Sequence, residues 1–138
     1  QTQLQGMDED NPQKGDKLQI ENLSEQERRL MECCGGQLML FRLRGPLSFG
    51  AAKGISARMG LVSNYQVLIL DITDVPRMGV TAALAIERMV QEAQMLGRVA
   101  FVAGANQRLK KRLGRFGVTG VVTDRLDALQ RARDHLHE

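Results

Sequence analysis

The 138-residue sequence predicts one α/β domain with a small, mostly parallel β-sheet of about four to five strands flanked by about four helices. Short apolar runs at residues 37–43, 67–70 and 99–102 are separated by segments with helical periodicity, and glycines follow the periodic segments. Such alternation is typical of βαβ units with right-handed crossovers around a parallel sheet. A chain of this length buries about two-thirds of its unfolded surface, so the fold requires no disulfide or metal.

Charge and cysteine usage divide the chain and suggest its environment. Residues 1–36 carry eight acidic and four basic side chains, a net charge of −4, whereas residues 37–138 carry fifteen basic and eight acidic ones, a net charge of +7. This shift predicts an acidic leader over 1–36 and a globular domain over 37–138. Cys33 and Cys34 are adjacent and form no disulfide framework, which favours a reducing compartment. A first residue other than Met suggests part of a longer protein or a processed product.

The leader is predicted to be mostly linker with one short helix. Residues 1–15 are polar and lack periodicity, which indicates a flexible linker, while the weak alternation of residues 17–23 would suit a short edge strand. Ser24 and Glu27 have the spacing of a capping box, so a helix is expected to begin there and to end at the following glycine pair. Because its apolar face is small, we expect this helix to pack outside the core and to be able to exchange between two copies.

Residues 37–43 form the first predicted main strand, which residues 44–46 (Arg-Gly-Pro) interrupt. Ser48 is a good N-cap for the next helix, which Gly60 would end. Its apolar side chains recur at helical spacing: Phe49, Ala52, Ile55 and Met59.

Residues 67–84 form the centre of the predicted fold. Residues 67–70 are consecutive apolar side chains, as expected for a central strand covered on both faces. Asp71 ends the run, and Pro76 cannot donate to a sheet, so residues 71–79 are predicted to be a loop. Ligands of open α/β sheets bind at the carboxyl ends of the strands, so this loop is the first place to look for function.

The remaining chain repeats the pattern. A helix is expected over residues 81–96, a strand over 99–102, a helix after the turn at 104–106, a strand over 118–123, and a last helix capped by Asp124. The apolar positions expected to face the sheet are Ala82, Ala83, Ile86, Val90, Ala93, Leu109, Leu113, Phe116, Leu126, Leu129 and Leu136.

Three segments resemble the STAS domain, a family found in anti-sigma-factor antagonists and in the cytosolic tails of SulP-type anion transporters. They are LFRLRGPLSFGAA (40–52), LILDITDVPRMGVTAAL (68–84) and FVAGANQRLKKRLGRFGV (101–118). The first two are more similar to the transporter branch. The resemblance implies a STAS-type fold and the cytoplasmic carboxy-terminal domain of a sulfate or bicarbonate transporter. It also implies attachment to a transmembrane domain of the same polypeptide, a homodimer, and a location on the cytoplasmic face of the cell membrane.

In this family the loop after the central strand carries an acidic residue followed by a hydroxyl residue, which a kinase phosphorylates in the sigma-regulator branch. Gly79 and Val80 occupy these positions here, so the resemblance argues against that switch. The loop is interpreted as a contact surface for regulation, formed by Asp71, Thr73, Asp74 and Thr81. A stand-alone partner-switch protein, with Thr81 as a displaced phosphoacceptor, is the alternative; a small hydroxyl residue also commonly satisfies backbone N–H groups at a helix start.

No catalytic set is visible, so the protein is not expected to be an enzyme. His135 and His137 are two residues apart and lack the spacing of metal ligands, so no metal is expected. Asp71 and Asp74 would form turns or meet a cation or basic group.

The most charged segment is a basic helix that contains Arg108, Lys110, Lys111, Arg112 and Arg115. It has three interpretations. It is a solvated face, or it contacts anionic lipid headgroups, or it helps the loop and helix N-termini to bind the phosphates of GTP or ATP, which would make the protein a nucleotide-sensing module. No other cofactor is expected. Nucleic acid is not an expected partner because the segment lacks interleaved aromatic residues.

Overall fold

A computed structural model describes residues 3–6, 23–60, 64–118 and 120–137, with the backbone alone for 3–6, 59 and 60. Five parallel strands form one sheet in the order β1-β2-β3-β4-β5. The strands are β1 (Gln3–Gly6), β2 (Leu38–Arg44), β3 (Val67–Asp74), β4 (Val99–Ala103) and β5 (Val121–Val122). The described helices are α1 (Glu25–Cys34), α2 (Phe49–Gly60), α3 (Val80–Met95), α4 (Gln107–Arg115) and α5 (Arg125–Leu136). The predicted fold class is confirmed, with five helices described instead of about four.

The sheet has a core on each face because side chains of a strand alternate between the two faces. On one face, Leu68 and Leu70 of β3 pack with side chains of α2, α3 and α4. On the other face, Val67 and Ile69 pack with side chains of α1 and α5. These four residues of β3 are fully buried, as predicted for a central strand.

The central strand is longer than predicted. We expected residues 71–79 to be a loop, but β3 continues to Asp74, and Asp71 pairs in register with Arg42 of β2 and Ala103 of β4. The prediction failed because an acidic residue was taken as the end of a buried strand. Partners for its carboxylate, described below, allow Asp71 to remain inside the sheet. A register shift between β2 and β3 follows, beyond Arg42.

The leader also differs from expectation. Gln3–Gly6 is a strand that pairs with β2, so the prediction of a linker is wrong there; residues 17–22, a possible strand, lie outside the described part. Helix α1 begins at the predicted capping box, but the expectation that it packs outside the core is wrong. Its side chains Leu30, Met31 and Cys34 are only 4–5% exposed, because they share a core with α5. Exchange between copies and the boundary at residue 36 stay predictions.

Smaller corrections concern the ends of elements. Phe49, one of the apolar side chains at helical spacing in α2, is 43% exposed. The fifth strand comprises Val121–Val122 rather than residues 118–123, and it follows Gly120, whose φ is +77°. A Cβ at Gly120 would lie 2.4 Å from the backbone oxygen of Ala100, so the chain approaches β4 too closely there for any other residue. The apolar positions of α3, α4 and α5 that were predicted to face the sheet are buried, except three that are half-buried: Phe116, Leu126 and Leu136.

Candidate functional site

Asp71 lies near the carboxyl end of the central strand and is only 2% exposed. Its Oδ1 accepts hydrogen bonds from the backbone N–H of Thr73 at 3.0 Å and from Thr73 Oγ1 at 2.6 Å. Its Oδ2 accepts a hydrogen bond from Nη1 of Arg125 at 3.3 Å. These partners stabilise the carboxylate, because an unpaired buried charge is strongly destabilising.

Arg125, the first residue of α5, lies between two carboxylates. Its Nε donates to Glu27 Oε2 at 2.5 Å and its Nη2 donates to Glu27 Oε1 at 3.1 Å, while Nη1 contacts Asp71. The side chains of Arg125 and Glu27 are 14% and 10% exposed, so water screens this pair weakly. A guanidinium that meets a carboxylate through two nitrogens is the strongest common form of ion pair. Arg125 therefore joins helix α1 to strand β3.

Glu27 has a second role at the start of α1. The backbone N–H of Ser24 donates to Glu27 Oε1 at 3.0 Å, and the backbone N–H of Glu27 donates to Ser24 Oγ at 3.1 Å. The predicted capping box is thus confirmed. One carboxylate both caps α1 and binds Arg125, so the beginning of the helix and its attachment to the body depend on the same group.

The charges at the site reinforce one another. Burial raises the pKa of Glu27, but hydrogen bonds from Arg125 and Ser24 outweigh burial, and the pKa lies below its ordinary value of 4.5. Burial lowers the pKa of Arg125, yet Glu27, Asp71 and Asp74 outweigh it and the pKa is raised. Glu27 and Arg125 are therefore charged at neutral pH, which fixes the ion pair.

A second ion pair stands beside the first. Arg42 Nη2 donates to Asp74 Oδ2 at 2.7 Å. The other two guanidinium nitrogens of Arg42, Nε and Nη1, are buried and lack a hydrogen-bond partner among the described residues. Arg42 therefore has donors available for a further acceptor at this end of the sheet.

A polar cleft of about 280 Å³ opens over these groups. Its walls contain neither histidine nor cysteine, and two of its carboxylates are held by Arg125. Because Arg125 binds both carboxylates, the cleft lies where helices α1 and α5 meet strand β3. Its lining residues are Ser24, Glu27, Arg42, Asp71, Thr73, Asp124, Arg125 and Leu126.

The segment after Asp71 is held by the turn that follows β4. Gly104 has a φ of +82°, and a Cβ there would lie 2.1 Å from Thr73 Oγ1 and 2.9 Å from Thr73 Cα. Asn106 Nδ2 donates to the backbone oxygen of Pro76 at 3.2 Å, and Asn106 Oδ1 accepts from the backbone N–H of Leu109 to cap α4. Residues 73–76 are thereby tied to the start of α4.

The structure separates the predicted contact surface into two places. Asp71, Thr73 and Asp74 meet at the cleft or its edge, but Thr81 is exposed in the first turn of α3 and belongs to a groove of about 390 Å³ between α2 and α3. The groove residues are Phe49, Ala52, Lys53, Ser56, Thr81, Leu84, Ala85, Arg88 and Glu92. Lys53 Nζ lies 5.1 Å from the centroid of the Phe49 ring.

The predicted basic cluster lies on α4 and does not line the cleft. Four of its members, Arg108, Lys110, Lys111 and Arg115, are exposed, and Arg112 is half-buried. The cleft instead opens beside α1 and α5, on the other face of the sheet. Contacts of the cluster with lipid headgroups or with a nucleotide stay predictions.

The two histidines near the end of the chain, His135 and His137, do not belong to a cluster of possible metal ligands. No such cluster occurs among the described residues. His135 is exposed, and His137 Nε2 lies 3.2 Å from the backbone oxygen of Cys33. Within the same part of the chain, no helix combines the length and apolar character that a membrane span requires.

Sequence reasoning found Asp71, Thr73 and Asp74 but missed the charged residues that bind them or Arg125 in the fold. Glu27 was predicted only as a cap, and neither Arg42 nor Arg125 was predicted to be at the site. One signal was available. A cation in the first turn of a helix meets the positive end of the helix dipole, so Arg125 directly after the N-cap Asp124 indicates a compensating acidic partner.

The sequence profile of the STAS domain matches residues 31–132, and the chain belongs to this family. A bicarbonate transporter, BicA of Synechocystis sp., is 36% identical over 116 residues, which are 80% of this chain and 21% of the transporter. The chain thus spans about a fifth of the length of this relative. The homology extends to the STAS domains of SulP transporters.

Solved structures agree with this assignment. The STAS domain of a SulP transporter from Vibrio cholerae matches with a TM-score of 0.69 and 25% identity, over 83% of this chain and 98% of that one. The murine anion transporter Slc26a9 matches with a TM-score of 0.60 and 18% identity, over 71% of this chain and 18% of that one, which shows the shared fold alone.

Proposed function

We propose that this chain is the cytoplasmic regulatory and dimerisation domain of a SulP-type membrane anion transporter of the sulfate or bicarbonate class. The homology to BicA supports the transport context. We further propose that a transmembrane domain of the same polypeptide performs transport, and that this domain neither forms the ion path nor catalyses a reaction.

The observation that carries the regulatory role is the position of Arg125. Its guanidinium contacts Glu27 in the first turn of the leader helix and Asp71 near the carboxyl end of the central strand. A partner or ligand that bound the cleft and drew Arg125 away would leave Glu27 without its counter-ion and would loosen α1. Conversely, a movement of α1 would change the surroundings of Asp71 and Thr73. The ion pair is therefore a mechanical link between the cleft and the chain that leads into the domain.

The dimerisation role needs an apolar surface that a second copy would cover. Phe49 and Val80 are 43% and 51% exposed near the groove between α2 and α3. Large exposed apolar side chains close together are typical of protein interfaces. We propose that this groove takes part in pairing the two protomers.

A transport assay on the full-length protein tests the regulatory role. We expect Arg125→Gln to change the rate of anion uptake or its response to regulation while the choice among anions stays the same. Arg131→Gln is the matched control, because Arg131 forms an exposed ion pair with Asp127 on the same helix. Unchanged uptake in the Arg125 variant would contradict the proposal. So would an upstream reading frame that encodes no apolar spans.

A partner-switch protein remains a second candidate because Thr81 is exposed in the first turn of α3. A kinase could reach its hydroxyl, and a phosphate there would be favoured by the helix N-terminus and by Lys53 of the groove. Mass spectrometry of the chain from its native cells tests this candidate. Phosphate on Thr81 would support it, and an unmodified Thr81 in the presence of its cognate kinase would remove it.

A further inference from the structure

Two large apolar side chains are strongly exposed at the end of α3. Met95 is 86% exposed and Leu96 is 66% exposed, more than the other large apolar side chains that stand out in the described part of the chain. They are consecutive residues just before the turn at Gly97, so they form one apolar tip. Water contact at such a tip is unfavourable unless something covers it.

Cationic side chains belong to the same end of the molecule. Helices α3 and α4 pack on the same face of the sheet, and each follows a parallel strand and returns toward its beginning. Their last turns therefore lie at the end of the sheet where the strands start. The last turn of α4 contains Arg112 and Arg115. Glu92 is the exposed acidic residue of α3 that precedes Met95 by one turn.

The beginning of the described chain arrives at this same end. Gln3, the first residue of β1, pairs in parallel with Met39, the second residue of β2. All strands of the sheet are parallel, so every strand starts where Met95, Leu96 and the last turn of α4 lie. If a membrane domain precedes the chain, this end of the sheet is the one that the connection reaches first.

We propose that the basic tip, defined as Met95, Leu96, Arg112 and Arg115, docks on the surface of an anionic lipid bilayer. Met95 and Leu96 enter the headgroup boundary, and the two guanidiniums bind lipid phosphates. Apolar side chains flanked by cations are the combination that interfacial membrane contacts use. The orientation of the tip toward the membrane rests on the proposed function, in which a membrane domain precedes this chain. The binding of the tip to anionic lipid is a property of this chain alone.

Vesicle sedimentation with the 138-residue chain tests the inference. We expect binding to vesicles with about 30% phosphatidylglycerol and little binding to pure phosphatidylcholine, with weaker binding at high salt. Arg112→Gln with Arg115→Gln should lower the partition coefficient roughly 25-fold, at about fivefold per charge. Met95→Ser with Leu96→Ser should lower it about tenfold.

A matched control removes equal charge at the opposite end. Arg44→Gln with Arg77→Gln removes two arginines near the carboxyl ends of β2 and β3. This variant should bind vesicles within about twofold of the original chain, because strands of seven and eight residues, at about 3.3 Å per residue, place these arginines more than a Debye length from the tip. All replaced side chains are exposed or half-buried, and unchanged circular dichroism and melting temperature will verify the fold of each variant.

Three results would overturn the inference: no binding to anionic vesicles, equal losses in the tip and control variants, or a dimer in light scattering that Met95→Ser with Leu96→Ser dissociates. The last result would identify the tip as an interface between copies. The proposed function is tested by the upstream reading frame, which none of these three results affects. Failure of this inference and failure of the proposed function are therefore separate outcomes.

Discussion

Arg125 and Glu27 are 98 residues apart in the sequence and are joined by two hydrogen bonds of 2.5 Å and 3.1 Å. The pair connects the first described helix to the last one, and both helices cover the same face of the sheet. Because Arg125 also contacts Asp71 of the central strand, a single side chain holds three elements together. The leader helix is therefore fastened to the domain both by apolar packing and by a buried charge.

The first prediction concerns the strength of this ion pair. Arg125→Met should lower the free energy of unfolding by about 3 kcal/mol, because it leaves two buried carboxylates without a counter-ion. Arg131→Met is the control; its pair with Asp127 is exposed and should contribute less than about 1 kcal/mol. Urea denaturation measures both. A double-mutant cycle with Glu27→Gln should give a coupling energy of at least about 1 kcal/mol, and additive effects would contradict a direct interaction.

The second prediction concerns pH. The pKa of Glu27 is lower in the folded chain than its ordinary value of 4.5, so the unfolded chain takes up the proton first. The stabilisation is therefore complete above that value and is lost as the pH falls through the folded pKa. Glu27→Gln retains a side-chain acceptor for the capping box but has no charge to titrate.

We thus expect this variant to be less stable than the original chain at about pH 7 and to lose less stability on acidification to about pH 3.5. Asp127, whose pKa the Arg131 hydrogen bond lowers, titrates in both proteins and serves as the common background. Parallel curves for the two proteins would show that Glu27 is not the linked group.

The third prediction concerns the turn that holds Thr73. Gly104→Ala should destabilise the domain by at least about 2 kcal/mol, since it adds a clash with the backbone of Thr73 to an unfavourable positive φ. Gly97→Ala is the control: Gly97 also has a positive φ of +77°, but nothing lies within 4 Å of the added methyl group. Its cost should be about 1 kcal/mol. Equal melting temperatures for the two variants would argue against the close contact.

The fourth prediction concerns the two adjacent cysteines. Burial raises the pKa of the Cys34 thiol to about 11, whereas Cys33 is exposed. A thiol reagent should therefore modify Cys33 at least ~100-fold faster than Cys34 in the folded chain at about pH 8, because the thiolate is the reactive form. Mass spectrometry of a time course gives both rates. In urea the two rates should converge; convergence without urea would mean that α1 is not packed on the body.

Local patterns determined most of the architecture. Consecutive apolar residues in β3, the capping box of Ser24 and Glu27, and the N-caps of α4 and α5 are signals that neighbouring residues carry. The helices and strands of residues 38–136 were accordingly predicted to within a few residues, apart from the end of β3 and the short β5.

The errors arose where distant residues decide. Asp71 continues a strand because Arg125, 54 residues later, stabilises its carboxylate. Gln3–Gly6 is a strand because the edge of β2 is available to it, although its own composition indicates a linker. Long-range partners of this kind leave little local trace in one sequence.

By itself, then, the sequence determined the class of fold, the helix caps and the importance of the stretch around Asp71. Only the tertiary structure decided that Thr81 lies apart from Asp71 and that α1 belongs to the core. It alone also decided that Arg125 links α1 to Asp71. The physical reason is that periodicity and capping depend on residues within one or two turns. A buried charge, in contrast, can remain in place only if the whole fold brings it a counter-ion.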